Sequence, residues 1–303
     1  MEREPEQQWI TIRRRAEEEA SAGFVAFVEA CYAGMAAEDL AERSPEDLVG
    51  AARAHWALLH QPRRPGERHL RVHNPDREVD GWWSPHTVVE LVQADRPFLV
   101  DSLRLALNRH GLAIHWTVHP VVAVERDTEG AVLATGRGEP EAVLRLEVDR
   151  RADTDNAALA GELEAVLATL DAVVDDWQPM VARLEEAAAA MGGAPVAGAG
   201  EAAEFLRWLA GDHFTLLGYR AHTLEMDADG PHLCVEAHSG LGMLRGPEAD
   251  RRSTTFDALP RAYREEATRP EPLLITKSRR RSTIHRQGYL DMVGVRRFEE
   301  QGR

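Results

Sequence analysis

Between residues 87 and 174 the chain alternates short β-rich apolar runs with stretches of helical spacing, and this order limits the folds open to it. Thr87, Val88, Val89, Glu90, Leu91, Val92 and Gln93 read as a buried strand. Residues 97–110 read as a helix ended by Gly111, with Phe98, Leu99, Leu103, Leu105, Ala106 and Leu107 supplying much of its apolar surface. Residues 113–125, rich in Val, Ile and Trp, are extended; residues 127–130 supply a turn, and Val132-Leu133 with residues 142–148 give returning strands. A second helix is expected over 156–174. Strand, helix, strand, strand, helix is the start of a ferredoxin-like split βαβ unit, so the fold class is α+β.

The flanks divide the rest. Residues 1–60 form a helical prelude, broken near Ser44-Pro45, where serine can cap a helix and proline can open one. Residues 61–67 have turn composition, and the first domain with its trailing helices is placed at 68–190. Residues 191–200, uncharged and rich in Gly, Ala and Pro, are a linker. Beyond it, 201–303 form a mixed α and β domain with mostly antiparallel strands: a helix over 201–211, then strand-like 214–224, 233–237, 273–277, 283–286 and 289–298. The sequence ends at Arg303 directly after a strand, which suggests a polypeptide that continues, with the last domain truncated.

Composition excludes several functions. With 44% hydrophobic and 29% charged residues the chain should fold. A net charge of -15 opposes nucleic acid and anionic membranes. No apolar run spans a bilayer and residues 1–15 are too polar for a signal peptide, so a cytoplasmic protein is expected. Cys31 and Cys234 lack CxxC partners and are expected to be reduced core cysteines. Of the 36 basic residues only Lys277 is a lysine, which excludes any mechanism that needs two. No catalytic residue, cofactor site or metal site is therefore expected in this segment.

Among the motifs, Asp95-Arg96-Pro97-Phe98 joins the first strand to its helix. It reads as a well-made helix start, and it is also similar to the ligand loop of ACT domains, small regulatory modules that bind amino acids, with Phe98 where glycine is usual. Free amides at such a helix start can meet a carboxylate. His115 and His119 would share a strand face, and His69 and His73 are spaced as metal ligands on a helix; packing or surface roles suit both pairs better. Gly240-Leu241-Gly242-Met243-Leu244-Arg245-Gly246 fails as a dinucleotide loop, its third glycine being late and Pro247 following; a turn explains it. Arg279-Arg280-Arg281 suits a solvated turn or a domain contact better than a phosphate or carboxylate site, and Asp175-Asp176 and Glu185-Glu186 are expected to be solvated.

Several blocks together resemble the large bacterial NAD-dependent glutamate dehydrogenases. They are Arg96-Pro97-Phe98-Leu99-Val100-Asp101-Ser102, Leu107-Asn108-Arg109-His110-Gly111-Leu112-Ala113-Ile114-His115, His119-Pro120, Glu204-Phe205-Leu206-Arg207-Trp208-Leu209, Asp212-His213-Phe214-Thr215-Leu216-Leu217-Gly218-Tyr219-Arg220, Gly240-Leu241-Gly242, Thr276-Lys277-Ser278, Ser282-Thr283-Ile284-His285-Arg286 and Tyr289-Leu290-Asp291. The resemblance implies an amino-terminal regulatory and assembly segment: an ACT-type domain, then a PAS-like domain. Asp95, Arg96, Pro97 and Phe98 would be its amino-acid-binding residues. It implies homo-oligomers, the rest of the dehydrogenase polypeptide as partner, and NAD-dependent glutamate oxidation by a catalytic domain outside this segment. The alternative is a free-standing amino-acid-binding module that regulates a separate enzyme.

Overall fold

The computed structural model describes residues 3–19, 21–246, 252–266 and 268–297, in two compact units that divide between Val166 and Leu167. The first unit opens with α1 (Arg3–Glu19), α2 (Ala22–Tyr32), α3 (Ala37–Ala41) and α4 (Pro45–Leu59). The expected break is a helix start: the Ser44 hydroxyl accepts the Asp47 amide at 3.1 Å, and Pro45 occupies the first helical position.

A six-stranded antiparallel sheet follows, built from β1 (His69–His73), β2 (Thr87–Ala94), β3 (Ile114–Val118), β4 (Val121–Arg126), β5 (Val132–Thr135) and β6 (Glu139–Val148), with α5 (Leu99–Arg109) and α6 (Asp153–Asp175) between and after them. Its order is β1-β2-β6-β4-β5, with β3 also on β6. The long β6 pairs with β2 on one side, from Thr87↔Val148 to Ala94↔Glu141. On its other side it pairs with β3 near one end and β4 near the other. This is the split βαβ order, with one difference. In a complete βαββαβ unit a strand after the second helix lies beside the first; here β1, which precedes the unit, takes that edge, pairing His69↔Val92 through His73↔Val88.

Both faces of the sheet are covered, since β2 is buried at seven consecutive positions and β6 at its last eight. Val92, Trp116, Val118, Val124 and Val143 pack with Ile12, Phe24, Phe27, Val28, Leu48 and Leu59 of the helical layer. By alternation Leu91, Leu144 and Leu146 face the other side. There α5 and α6, joined by a contact between His110 Nε2 and Glu162 at 2.6 Å, supply buried Leu103, Leu107, Leu159 and Leu163.

The second unit contains α7 (Trp177–Gly192), α8 (Ala199–Trp208) and a kinked turn at Leu209–His213, where Asp212 takes φ 61°, around a core of Ala188, Met191, Ala203, Leu206 and Leu209. The glycine-rich segment 191–200 lies inside this unit, running from the last residues of α7 into the first of α8. Strands β7 (Gly218–Tyr219), β8 (His222–Asp227), β9 (Gly230–Val235), β10 (Leu241–Gly242), β11 (Leu273–Arg281) and β12 (Tyr289–Val295) form three antiparallel pairs, β7–β10, β8–β9 and β11–β12. Short helices α9 (Thr254–Asp257) and α10 (Arg261–Glu266) intervene.

Several expectations change. The helix predicted over 97–110 starts at Leu99, because Phe98 adopts a left-handed conformation, φ 64°, that cannot continue a helix. Residues 283–286 form a bent loop rather than a strand, with His285 at φ 65° and the Ser282 hydroxyl donating to the Ile284 carbonyl at 2.6 Å. Arg279, Arg280 and Arg281 lie in β11 and not in a turn; the Arg279 side chain, Pro247 and Phe298 are outside the described residues. Gly242, φ 58°, does make the expected turn, and a Cβ there would stand 2.5 Å from the Leu217 carbonyl oxygen.

Gly50 supplies a test of the packing between α4 and the loop before β2. A Cβ at Gly50 would lie 2.6 Å from the Trp82 Cβ, and Trp82 is fully buried. Glycine to alanine inside a helix ordinarily stabilises by about 1 kcal/mol. Here Gly50→Ala is expected to have the opposite sign, lowering stability by about 1–3 kcal/mol as overpacking does, measured by urea unfolding.

Candidate functional site

The loop singled out by sequence is formed where β2 ends. The Asp95 amide donates to the Pro140 carbonyl at 3.0 Å, and the Ser102 amide donates to the Phe98 carbonyl at 2.9 Å to begin the α5 ladder. The first amides of α5 thus point out of the helix start, as an anion-binding turn requires. Asp95 and Pro97 are exposed, while Arg96 and Phe98 are half-buried. Phe98 fills the position where glycine is usual, and its φ of 64° is the backbone geometry that glycine supplies most readily. The turn is therefore retained with a ring added to it.

His119 joins this loop, which its sequence position did not show. It follows β3, and burial pushes its imidazole pKa down while the nearby Asp95 carboxylate opposes that shift. Its Nε2 is buried without a hydrogen-bond partner. His115 is separated from it: a bulge between Ile114 and Trp116 alters the register, and His115 Nε2 instead meets Asp149 Oδ1 at 2.7 Å. The His115 ring stacks on His86 at 4.2 Å. His69 and His73 lie at the two ends of β1, a strand and not a helix, and His73 Nε2 stands 3.3 Å from Glu90. Among the described residues no group of three or more His, Cys, Asp or Glu is placed to hold a metal ion.

A buried ionic network occupies the sheet face toward α1–α4. Arg145, 1% exposed, donates to the Tyr32 hydroxyl at 3.1 Å, and the Tyr32 hydroxyl donates to the Leu48 carbonyl at 2.6 Å. Glu147 receives Arg43 Nη1 at 2.7 Å and the Ser84 hydroxyl at 2.6 Å. Glu141 receives Arg63 at 2.6 Å and Arg126 at 2.7 and 2.9 Å; Arg126 also donates to the Leu59 carbonyl at the end of α4. Glu90 is held by Arg71 at 2.6 and 2.8 Å. Burial alone would raise the Glu90 carboxyl, but the His73 imidazole 3.3 Å away and the charges of His55 and Arg71 bring it down to about 2. Burial pushes the His55 imidazole down to about 4, and pushes the Cys31 thiol up to about 12, which leaves that cysteine an inert core residue.

In the second unit Asp176, expected to be solvated, is buried: its carboxylate accepts the Gly242 amide at 2.7 Å and Arg245 Nε at 2.9 Å. Those contacts outweigh burial and depress its pKa. His232, also unforeseen, lies between Asp257 at 2.8 Å and Asp227 at 3.0 Å, tying α9 to the β8–β9 hairpin.

An antiparallel sheet in split βαβ order, with a strand-to-helix loop at the end of β2, is the arrangement of an ACT-type module. Residues 27–163 match the family model described as glutamate dehydrogenase, ACT1 domain. The chain is 34% identical to the NAD-specific glutamate dehydrogenase of Pseudomonas aeruginosa over 297 residues, covering 91% of this chain and 18% of that protein. It is 34% identical to that of Halomonas elongata over 310 residues, covering 96% of this chain and 19% of that protein, and 30% identical to that of Mycobacterium tuberculosis over 182 residues. The chain thus matches an amino-terminal segment of NAD-specific glutamate dehydrogenases, and it spans about a fifth of the length of the first two relatives.

Two outcomes test this geometry. A histidine whose folded pKa is depressed from 6.5 to about 4 contributes stability that is complete above pH 6.5 and lost as pH falls through 4. His55 alone accounts for roughly 3 kcal/mol of that loss. The thermal midpoint of the native chain should therefore fall between pH 6.5 and 4, and His55→Gln should flatten that slope. At the loop, Phe98→Gly and Phe98→Ala both delete the ring but differ in left-handed strain, so the glycine variant should be more stable by about 1 kcal/mol in urea unfolding.

Proposed function

We propose that this chain is the regulatory and assembly segment of a homo-oligomeric, cytoplasmic NAD-dependent glutamate dehydrogenase. The whole protein would convert L-glutamate, NAD and water to 2-oxoglutarate, ammonium and NADH, with NAD bound by a catalytic domain in the rest of the polypeptide. The observation that carries the reading is the ACT1 match over 27–163, which covers the β2–α5 loop and its left-handed turn. In this reading the α5 amides receive the carboxylate of an amino acid, Asp95 faces its ammonium group, and Phe98 narrows the site to a small ligand. Residues 68–190 would act as the sensing domain and residues 201–303 as a PAS-like module that transmits or assembles. Antiparallel pairing in β8–β9 and β11–β12 with short helices between them supports that last assignment. Among the described residues no helix is long and apolar enough to cross a membrane, in keeping with a segment that works in solution.

Calorimetric titration with glutamate and other amino acids tests the sensor. Saturable binding that Asp95→Ala weakens at least tenfold is expected, whereas self-association by light scattering without amino-acid binding would leave assembly alone. An antibody to this segment tests the rest: the band should be several times larger than 33.7 kDa and carry NAD-dependent glutamate oxidation. A band at 33.7 kDa without that activity would instead mark a free-standing module.

A further inference from the structure

A second polar concavity lies at the opposite end of β2 from the Asp95 loop, between the β1–β2 connection and the start of α6. It is an open cleft of about 610 Å³. We propose that it binds a small linear diamine, with one ammonium group held by Asn156 and the carboxylates beside it.

Three observations point to that chemistry. The first is an unmet hydrogen bond: Asn156 is only 6% exposed, yet its Oδ1 has no partner, while its Nδ2 approaches Asp153 Oδ1 at 3.5 Å. A buried amide oxygen without a donor is costly, so the site is built for a ligand that brings an N–H. The second is charge. Asp76, Asp80 and Asp153 line the cleft, and the one arginine there, Arg71, is neutralised by Glu90 at 2.6 Å. The connection is held in place because the Asp76 amide donates to Asp80 Oδ2 at 2.9 Å and the Asn74 amide group donates to Asp153 Oδ1 at 2.5 Å. The net field attracts a cation and repels phosphates and free carboxylates. The third is the wall: Val72, Ala157 and Ala160 offer an apolar surface to a methylene stem. A bare metal ion lacks both the donor and the stem, and the carboxylates do not converge as a metal shell.

The test is calorimetric titration of the chain with 1,4-diaminobutane at low ionic strength. Saturable one-to-one binding is expected, with n-butylamine at least tenfold weaker because it carries a single ammonium. Asn156→Leu and the exposed Asp76→Asn should each weaken binding about tenfold. Asn156→Asp keeps the acceptor and adds a charge, so it should bind as tightly as the native chain or more so. Circular dichroism melting checks that each variant folds, and Asp95→Ala should leave diamine affinity unchanged, which separates this site from the amino-acid loop. Absence of binding, affinities equal in all variants, or displacement of the diamine by stoichiometric magnesium would each overturn the proposal.

Discussion

Glu141, Arg145 and Glu147 project from one face of β6 into a layer of helices instead of into water, and the first unit is organised around satisfying them. Burying these charges is costly, and removing one member of such a pair leaves an uncompensated charge at a penalty of about 3–5 kcal/mol. Each is matched by a group from a distant part of the chain: Arg63 and Arg126 for Glu141, Tyr32 for Arg145, Arg43 and Ser84 for Glu147. An apolar contact tolerates sliding, whereas these hydrogen bonds accept one placement of α2 and α4 on the sheet. The helical prelude is thus part of the ACT-type unit and not an appendage.

The same arrangement separates the two ends of the sheet. At one end, β2 runs into the left-handed turn at Phe98 and the adjacent His119. At the other, the β1–β2 connection and α6 enclose the carboxylates around Asn156. Between them β2 is buried along seven positions, so the two ends are joined by a rigid strand packed on both faces. Arg71 and His73 of β1 meet Glu90 in the middle of that strand, which links the edge of the sheet to its interior.

The elements whose periodicity is local were legible in the sequence: β2, the body of α5, α6 and the capped start of α4. The strand at 69–73 was not, because His, Leu, Arg, Val and His are too short and too polar a run to advertise a strand that is only half-buried. Spacing also could not show that Glu90, in a strand read as buried, would find Arg71 and His73, or that Asp176 would accept the Gly242 amide 66 residues away. Those partners are set by tertiary placement. Phe98 illustrates the converse: a ring stands where glycine is usual, while the backbone keeps the left-handed conformation and accommodates the ring. Residues 283–286 read as β-prone, but the left-handed His285 bends them.

The place of β1 bears on synthesis. A βαββαβ module must wait for a strand beyond its second helix before its sheet is complete. Here the edge strand is already made when β2 appears, and the last sheet strand, β6, ends at Val148. Synthesis of about 150 residues supplies every strand of this sheet, so strand pairing can be complete before α6 is added to cover its second face. The long apolar strand β2 therefore need not wait with an unpaired edge, which removes a route to aggregation.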